Sequence, residues 1–444
     1  MDAANSAGSS GDRVNLTKSE SVNVRTEAIA GVTTFFTMAY IVIVNPSILS
    51  TEGTGMPFSG VLTATVLICF VMTLLMGLYA RLPFAVAPGM GINAFFTFTI
   101  ILGQKVPWPV ALGIIFWAGV LFLVVSVTPV RVTIARAIPA GLRVATAAGI
   151  GIFLTFIGLK NAGLVVADPV TLVRLGTLDH RALLMLLGVG VTVWLVNKKS
   201  PFAFLAGIFA VTLIAWIAGL VEAPDRFLSA PDFKSVFFRL DIWGALRWAL
   251  LPAIISVMFT DLFDSISTFI GVAHAAEMLD AEGQPRNLKE GLIVDALATL
   301  GAGLAGTSSG TAYIESVAGI HMGGRTGLTS VFTALCFLPC FFLGPLAAMV
   351  PAYATAAVLV LVGAFMFRSV TQLQFSRIEE ALPAFLTIIL IPLTFSITQG
   401  ILWGFISHVG LYLMVGRGRE VHPVMYALAL VSVGLLVLEH GSRP

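Results

Sequence analysis

Residues 82–101 read Leu-Pro-Phe-Ala-Val-Ala-Pro-Gly-Met-Gly-Ile-Asn-Ala-Phe-Phe-Thr-Phe-Thr-Ile-Ile. The stretch has the apolar length needed to cross a bilayer, about 20 residues. Yet Ala87-Pro88-Gly89-Met90-Gly91-Ile92-Asn93 puts one proline and two glycines where a continuous helix tolerates neither. It reads as a span broken at mid-depth, with a half-helix starting near its second glycine. Broken backbone survives in a membrane only inside protein or beside a polar cavity. A second broken stretch, Gly306-Thr307-Ser308-Ser309-Gly310-Thr311, is read as the same kind of half-helix start. Asn93 and Glu315, which follow the two breaks, are 222 residues apart in a chain of 444. Paired, interrupted spans at matching positions mark the binding site of transporters built from inverted repeats.

The rest of the chain agrees with a membrane setting. It is 57% hydrophobic and 11% charged, with a mean hydropathy of +0.97. Soluble domains carry about a quarter charged residues, so lipid must cover much of this surface. Apolar runs fall near 28–49, 60–80, 82–101, 107–129, 144–161, 182–197, 202–221, 249–274, 289–305, 306–322, 327–350, 353–367, 381–397 and 400–416. They predict an all-α polytopic protein of 14 transmembrane segments, arranged as 7+7 inverted repeats. Tight hairpins are expected at Lys198–Pro201 and Thr398–Gly400. The runs are continuous and lack period-2 alternation, which excludes a β-barrel. A further apolar stretch, 423–439, is either an extra span or an interfacial helix.

Basic residues fall in every second loop: Arg13, Lys18 and Arg25; Arg131, Arg136 and Arg143; Lys198 and Lys199; Arg286 and Lys289; Arg368 and Arg377; Arg417 and Arg419. This places the N-terminus and those loops in the cytoplasm. No apolar core precedes Arg25, so the first span acts as a signal anchor in the inner membrane. The expected organisation is a cytoplasmic tail (1–26), spans 1–4 (27–130), spans 5–7 (131–222), an extracytoplasmic loop (223–248), spans 8–11 (249–351), spans 12–14 (352–420) and a C-terminal segment (421–444).

Charges inside a bilayer are costly and therefore few. Asp261 and Asp264 lie in the eighth span, three apart and so on one helix face, with Thr268 continuing it. Glu315 follows the second break, and no Lys or Arg lies at comparable depth. Buried carboxyls without a cation beside them are candidates for exchanging a proton near neutral pH. Asp295 is read as a cap or bridge between helices. Half-helix starts facing these acids form a small polar pocket. A flat, neutral, polar heterocycle suits it, although physics alone also allows an anion or amino acid there. Phe95 and Phe96 are read as packing residues before stacking ones, and His274 and His408 as structural. Cys69, Cys336 and Cys340 are read as small packing residues. The chain shows no metal-ligand cluster, phosphate loop, nucleophile–base pair or nucleic-acid patch, which argues against a membrane enzyme. A channel fits buried acids at broken helices less well than alternating access does.

Several stretches together resemble the azaguanine-type purine permeases, a branch of the nucleobase–cation symporters. They are Ala87 to Phe96, Ile150 to Asn161, Phe259 to Asp264, Gly306 to Gly319 with Tyr313-Ile314-Glu315-Ser316, and Gly323-Gly324-Arg325-Thr326-Gly327-Leu328. The resemblance covers residues 24–430. It implies uptake of adenine, guanine or hypoxanthine by proton symport, with no other cofactor, metal or nucleic-acid partner. It implies short strands and half-helices in spans 3 and 10 with the substrate between them and span 8 facing them, a core domain (spans 1–4 and 8–11) moving against a gate domain (spans 5–7 and 12–14), and a possible homodimer through the gate, surrounded by lipid. The implied substrate contacts are Glu315, Asp261, Asn93, Asp264, Thr311, Ser309 and Gly91, with Glu315, Asp261 and Asp264 also serving the proton. An anion transporter of sulfate or bicarbonate type is the alternative within the same fold, and three unpaired acids argue against it.

Overall fold

The computed structural model describes residues 23–128, 137–276, 278, 286–373 and 375–441. The expected tail 1–26 lies almost wholly outside the described residues, as do parts of the loops 131–143 and 275–288.

The first span is two helices, α1 (Val24–Met38) and α2 (Ile41–Leu49). Asn23 caps α1, its side chain accepting from the amides of Arg25 and Thr26. Helix α3 (Phe58–Leu75) continues into a wider π-helical turn and ends at Arg81, with φ +55°. The third span is then broken as the sequence predicts. Strand β1 (Val86–Pro88) is followed by the short helix α4 (Met90–Ala94), which widens into π-helical turns over Phe95–Gly103. Next come α5 (Trp108–Val127), α6 (Ala140–Asn161), the small exposed hairpin β2 (Val165–Asp168) and β3 (Leu172–Leu175), α7 (His180–Asn197) and α8 (Ala203–Ile217). That hairpin has no counterpart in the sequence reading.

After the long loop, α9 (Leu251–Ala275) and α10 (Leu288–Ala305) lead to strand β4 (Gly310–Ala312) and helix α11 (Ser316–His321). The second break therefore differs from the first. Residues 308–311 are not a half-helix start. They form a loop and a strand, and the half-helix begins only at Ser316. The expected span 327–350 is also broken, into α12 (Gly327–Phe337), a 3₁₀ stretch and α13 (Gly344–Ala348). Pro339 and Pro345 prevent one continuous helix there. Helices α14 (Ala352–Phe367), α15 (Ile378–Thr394), α16 (Ile397–Met414) and α17 (Pro423–Gly441) complete the chain. The α15–α16 turn falls at Phe395, with φ +52°, so Thr398–Gly400 lies inside α16 and forms no hairpin.

Among the described residues, eight helices are long and apolar enough to cross a membrane. Others, such as Ala203–Ile217 and Pro423–Val437, are apolar but shorter. The protein is a mostly helical integral membrane protein. Most of its helices fall into two packing groups. A strand-bearing group gathers α1–α5 and α9–α12 around β1 and β4; a flanking group joins α6, α7, α8, α14, α15 and α16. All three cysteines are free, two of them buried.

Candidate functional site

The site is organised by a two-stranded antiparallel ribbon between segments more than 200 residues apart. Val86 pairs with Ala312, Ala87 with Thr311 and Pro88 with Gly310. The ladder extends at both ends: the Tyr313 amide donates to the Ala85 carbonyl at 2.9 Å, and the Gly89 amide to the Ser309 carbonyl at 3.0 Å. The Tyr313 hydroxyl donates to the carbonyl of Pro88.

A two-stranded ribbon has two open edges, and buried backbone groups left unpaired cost about 1–3 kcal/mol each. Side chains close both edges here. On the β1 edge, the Thr73 hydroxyl donates to the Val86 carbonyl at 3.0 Å and accepts from the Val86 amide at 2.9 Å. On the β4 edge, the Asp295 carboxylate accepts from the Ala312 amide at 3.1 Å, and Thr299 donates to the Gly310 carbonyl at 3.1 Å. The same hydroxyl is in contact with the Asp261 carboxylate, so its one proton is shared between the two acceptors. Both acids are completely buried. Asp295 thus bridges α10 to the ribbon, in the structural manner expected of it. Asp261 lies behind β4 against the residue that holds the strand, and its other oxygen, Oδ1, is buried without a hydrogen-bond partner among the described residues.

Asp264 is placed differently. It lines a cavity of about 40 Å³ where the two helix groups meet. The strand-bearing wall supplies Gly89, Gly91, Ile92, Thr260, Phe263, Asp264 and Ser267. The flanking wall supplies Arg143, Thr146, Ala147 and Ile150 of α6, with Met366 of α14. A water needs about 10–15 Å³ of such space, so this cavity admits a few waters and no bicyclic ring. A larger solute requires the two groups to part. The Thr260 hydroxyl is buried and has no hydrogen-bond partner among the described residues. At Gly91 the walls lie close together: a Cβ there would lie 2.6 Å from Cγ2 of Ile150.

The other expected residues fall around this cavity without lining it. Glu315 occupies the N-cap position of α11, where its carboxylate accepts from the Tyr40 hydroxyl at 2.7 Å. Asn93 is fully buried and donates to the Asn45 side chain at 3.2 Å, which in turn donates to Thr65 and Thr307. That network ties α4 and the second break to α2 and α3. Thr311 shares a 3.3 Å hydroxyl contact with Ser265. Ser309 is buried, its hydroxyl without a partner among the described residues. Phe95 and Phe96 are buried in the core, and His408 is buried against the ring of Tyr412.

The sequence reading missed four of these groups. Asn45 and Tyr40 are polar groups inside an apolar run, which is the signal that could have flagged them. Thr299 looks like any helix threonine. Arg143 was read as a loop charge, and no basic residue was expected at the depth of the acids. In the structure, α6 starts just after Pro139, which puts Arg143 in its first turn and on the cavity wall.

A family model described as the permease family matches residues 25–402. Adenine permease AdeP of Escherichia coli (strain K12) is 41% identical, over 95% of this chain and 95% of its own length. Guanine/hypoxanthine permease PbuO of Bacillus subtilis (strain 168) is 38% identical, over 93% of this chain and 97% of its own. Among solved structures, the transmembrane domain of a cyanobacterium bicarbonate transporter, BicA, superposes with a TM-score of 0.66 at 17% identity. It covers 86% of this chain and 97% of that one, a likeness of fold alone.

Proposed function

This chain belongs to the permease family, a transporter and not an enzyme, and from that premise we propose that it imports purine nucleobases by proton symport. The observation that carries this reading is Asp264, a carboxylate lining an otherwise mostly apolar cavity at the seam between two helix groups. An ionised carboxylate only accepts hydrogen bonds, so it suits a ligand that brings N–H donors, as purine bases do. The same feature disfavours an anion as cargo.

In this reading the strand-bearing group is the core domain and the flanking group the gate. The chain forms 14 spans as 7+7 inverted repeats in the inner membrane, with its N-terminus in the cytoplasm. The core carries the base across by moving against the gate, in an elevator-like cycle, and the gate is the surface for a homodimer. The paired ribbon supports such motion because α4 and α11 are fixed to one rigid, edge-capped element. The small cavity represents a closed arrangement, which must open to load. Proton coupling rests on Asp264 and Glu315, each placed without an ion-pair partner among the described residues.

Uptake of radiolabelled adenine, guanine and hypoxanthine into cells expressing the chain tests this. Uptake of at least one purine should collapse when a protonophore is added and should persist without sodium. Uptake driven by a sodium gradient with the proton gradient abolished would refute the coupling, and transport of sulfate or bicarbonate in place of purines would refute the substrate.

A further inference from the structure

Arg143 is unexplained by stability. It stands in the first turn of α6, where the helix dipole disfavours a cation. Its Nε is buried and has no hydrogen-bond partner among the described residues, although a buried, unpaired donor is costly. It makes no ion pair among the described residues. Long basic side chains often run along a helix to reach water, but this one lines the cavity that holds Asp264.

The two walls of that cavity are chemically complementary. On the α6 wall, Thr146 already donates its hydroxyl proton to the Leu142 carbonyl at 2.9 Å, so Arg143 is the wall's strongest donor. A guanidinium has five N–H donors and no acceptor; an ionised carboxylate has acceptors only. A purine presents both kinds of atom around one flat ring: N–H groups on some edges, ring nitrogens or a carbonyl oxygen on others. Arginine pairs well with such acceptors, as its bidentate contacts to guanine edges in nucleic acids show.

Resting on the purine reading above, we propose that Arg143 is a substrate contact from the flanking group. It donates to acceptor atoms of the base while Asp264 accepts from the base's N–H groups on the opposite wall. The base then bridges the two helix groups, and the buried Nε of Arg143 gains a partner when the site is filled. Substrate binding thereby draws the two walls together.

The test pairs a side-chain change with a substrate change. Initial-rate uptake and surface level are measured for wild type, Arg143→Lys and Arg143→Gln with hypoxanthine. Inhibition is measured with the 3-deaza and 7-deaza analogues, each of which lacks one ring-nitrogen acceptor. In wild type, at least one analogue should bind about ten-fold more weakly than hypoxanthine, the loss expected for a hydrogen bond to a charged group. Arg143→Gln should raise the hypoxanthine KM by about the same factor and should abolish the penalty for that analogue. Arg143→Lys should fall between, which keeps the test decisive if the Gln variant fails to reach the membrane. An unchanged KM, or an analogue penalty that survives in the variants, overturns the assignment of Arg143 while leaving purine transport intact. A wild-type chain that moves no purine overturns both this contact and the reading beneath it.

Discussion

Gly91→Ala is the sharpest test of the closed seam between the helix groups. A Cβ at this position meets Cγ2 of Ile150 at 2.6 Å, whereas Cδ1 and Cβ of Ile150 lie at 3.5 and 3.8 Å. Carbon atoms rest about 3.5–4.0 Å apart, so only the Cγ2 contact is too short, by about 1 Å. That methyl is fixed on the β-carbon and has no flexible chain by which to withdraw. Overpacking of this kind costs about 1–3 kcal/mol. The clash spans two helix groups, so its cost falls on the arrangement seen here and is relieved when they separate. A bias of that size shifts the balance between arrangements about 5- to 150-fold. Purine uptake per surface molecule should therefore fall at least about five-fold. Ile150→Leu removes the β-branch at nearly constant volume and should cost less than about two-fold alone. The double variant Gly91→Ala/Ile150→Leu should recover to near the Ile150→Leu rate. Uptake by Gly91→Ala at the wild-type rate, or no recovery in the double variant, refutes the reasoning; the second result would mean that the added methyl simply blocks the base.

Three further outcomes follow from the geometry. Asp261→Asn places two new N–H donors behind β4, where only the Thr299 hydroxyl oxygen is shown within reach to accept, and a donor left unpaired costs about 1–3 kcal/mol. It should lower the melting temperature in detergent more than it lowers uptake per folded molecule, whereas Asp264→Asn should do the reverse; equal melting temperatures with lost binding in Asp261→Asn would return that residue to the substrate. Glu27 is buried at the start of α1, where its carboxylate accepts from the amides of Arg325 and Thr326 and from the Thr329 hydroxyl. Glu27→Ala should cost about 2–3 kcal/mol, read as a lower melting temperature, and an unchanged one would show that the 323–327 turn holds itself. In the long loop, burial pushes the Asp232 carboxyl up, but the Ser235 and Ser59 hydroxyls and the Lys234 and Ser235 amides outweigh it and hold the carboxyl below its ordinary range. A depressed folded pKa stabilises above the unfolded value, about 4, and that stability is lost as pH falls through the lower folded value. The loop should resist an acid protease at pH 5 and become cleavable only in stronger acid, and loosening between pH 5 and 7 would refute this.

Much of the architecture was legible in the sequence because its causes are local. Apolar runs of membrane length, with few charges, leave only helices as a solution. Pro88, Gly89 and Gly91 break one span wherever it sits, and the sequence located the start of α4 correctly. Gly306 to Gly310 announced a second break, but local signals could not say that it would be a strand; only the family resemblance implied a short strand there. Whether residues 310–312 become helix or ribbon depends on β1, a partner more than 200 residues away.

What only the tertiary structure decided is which of the polar groups faces what. Asp261 and Asp264 are three residues apart, close to one face but about 60° from each other around the helix. That difference puts one behind β4 on Thr299 and the other on the cavity wall. Both are acids in the same span, Asp261 buried and Asp264 half-buried, and nothing in the spacing ranks them. Arg143 is the converse case. Charge counting assigns a basic residue near the end of an apolar run to the loop, because snorkelling and burial look identical in sequence. The choice between them is made by the position of α6 against α4 and α9, a contact among segments that share no local sequence and are held together only by packing.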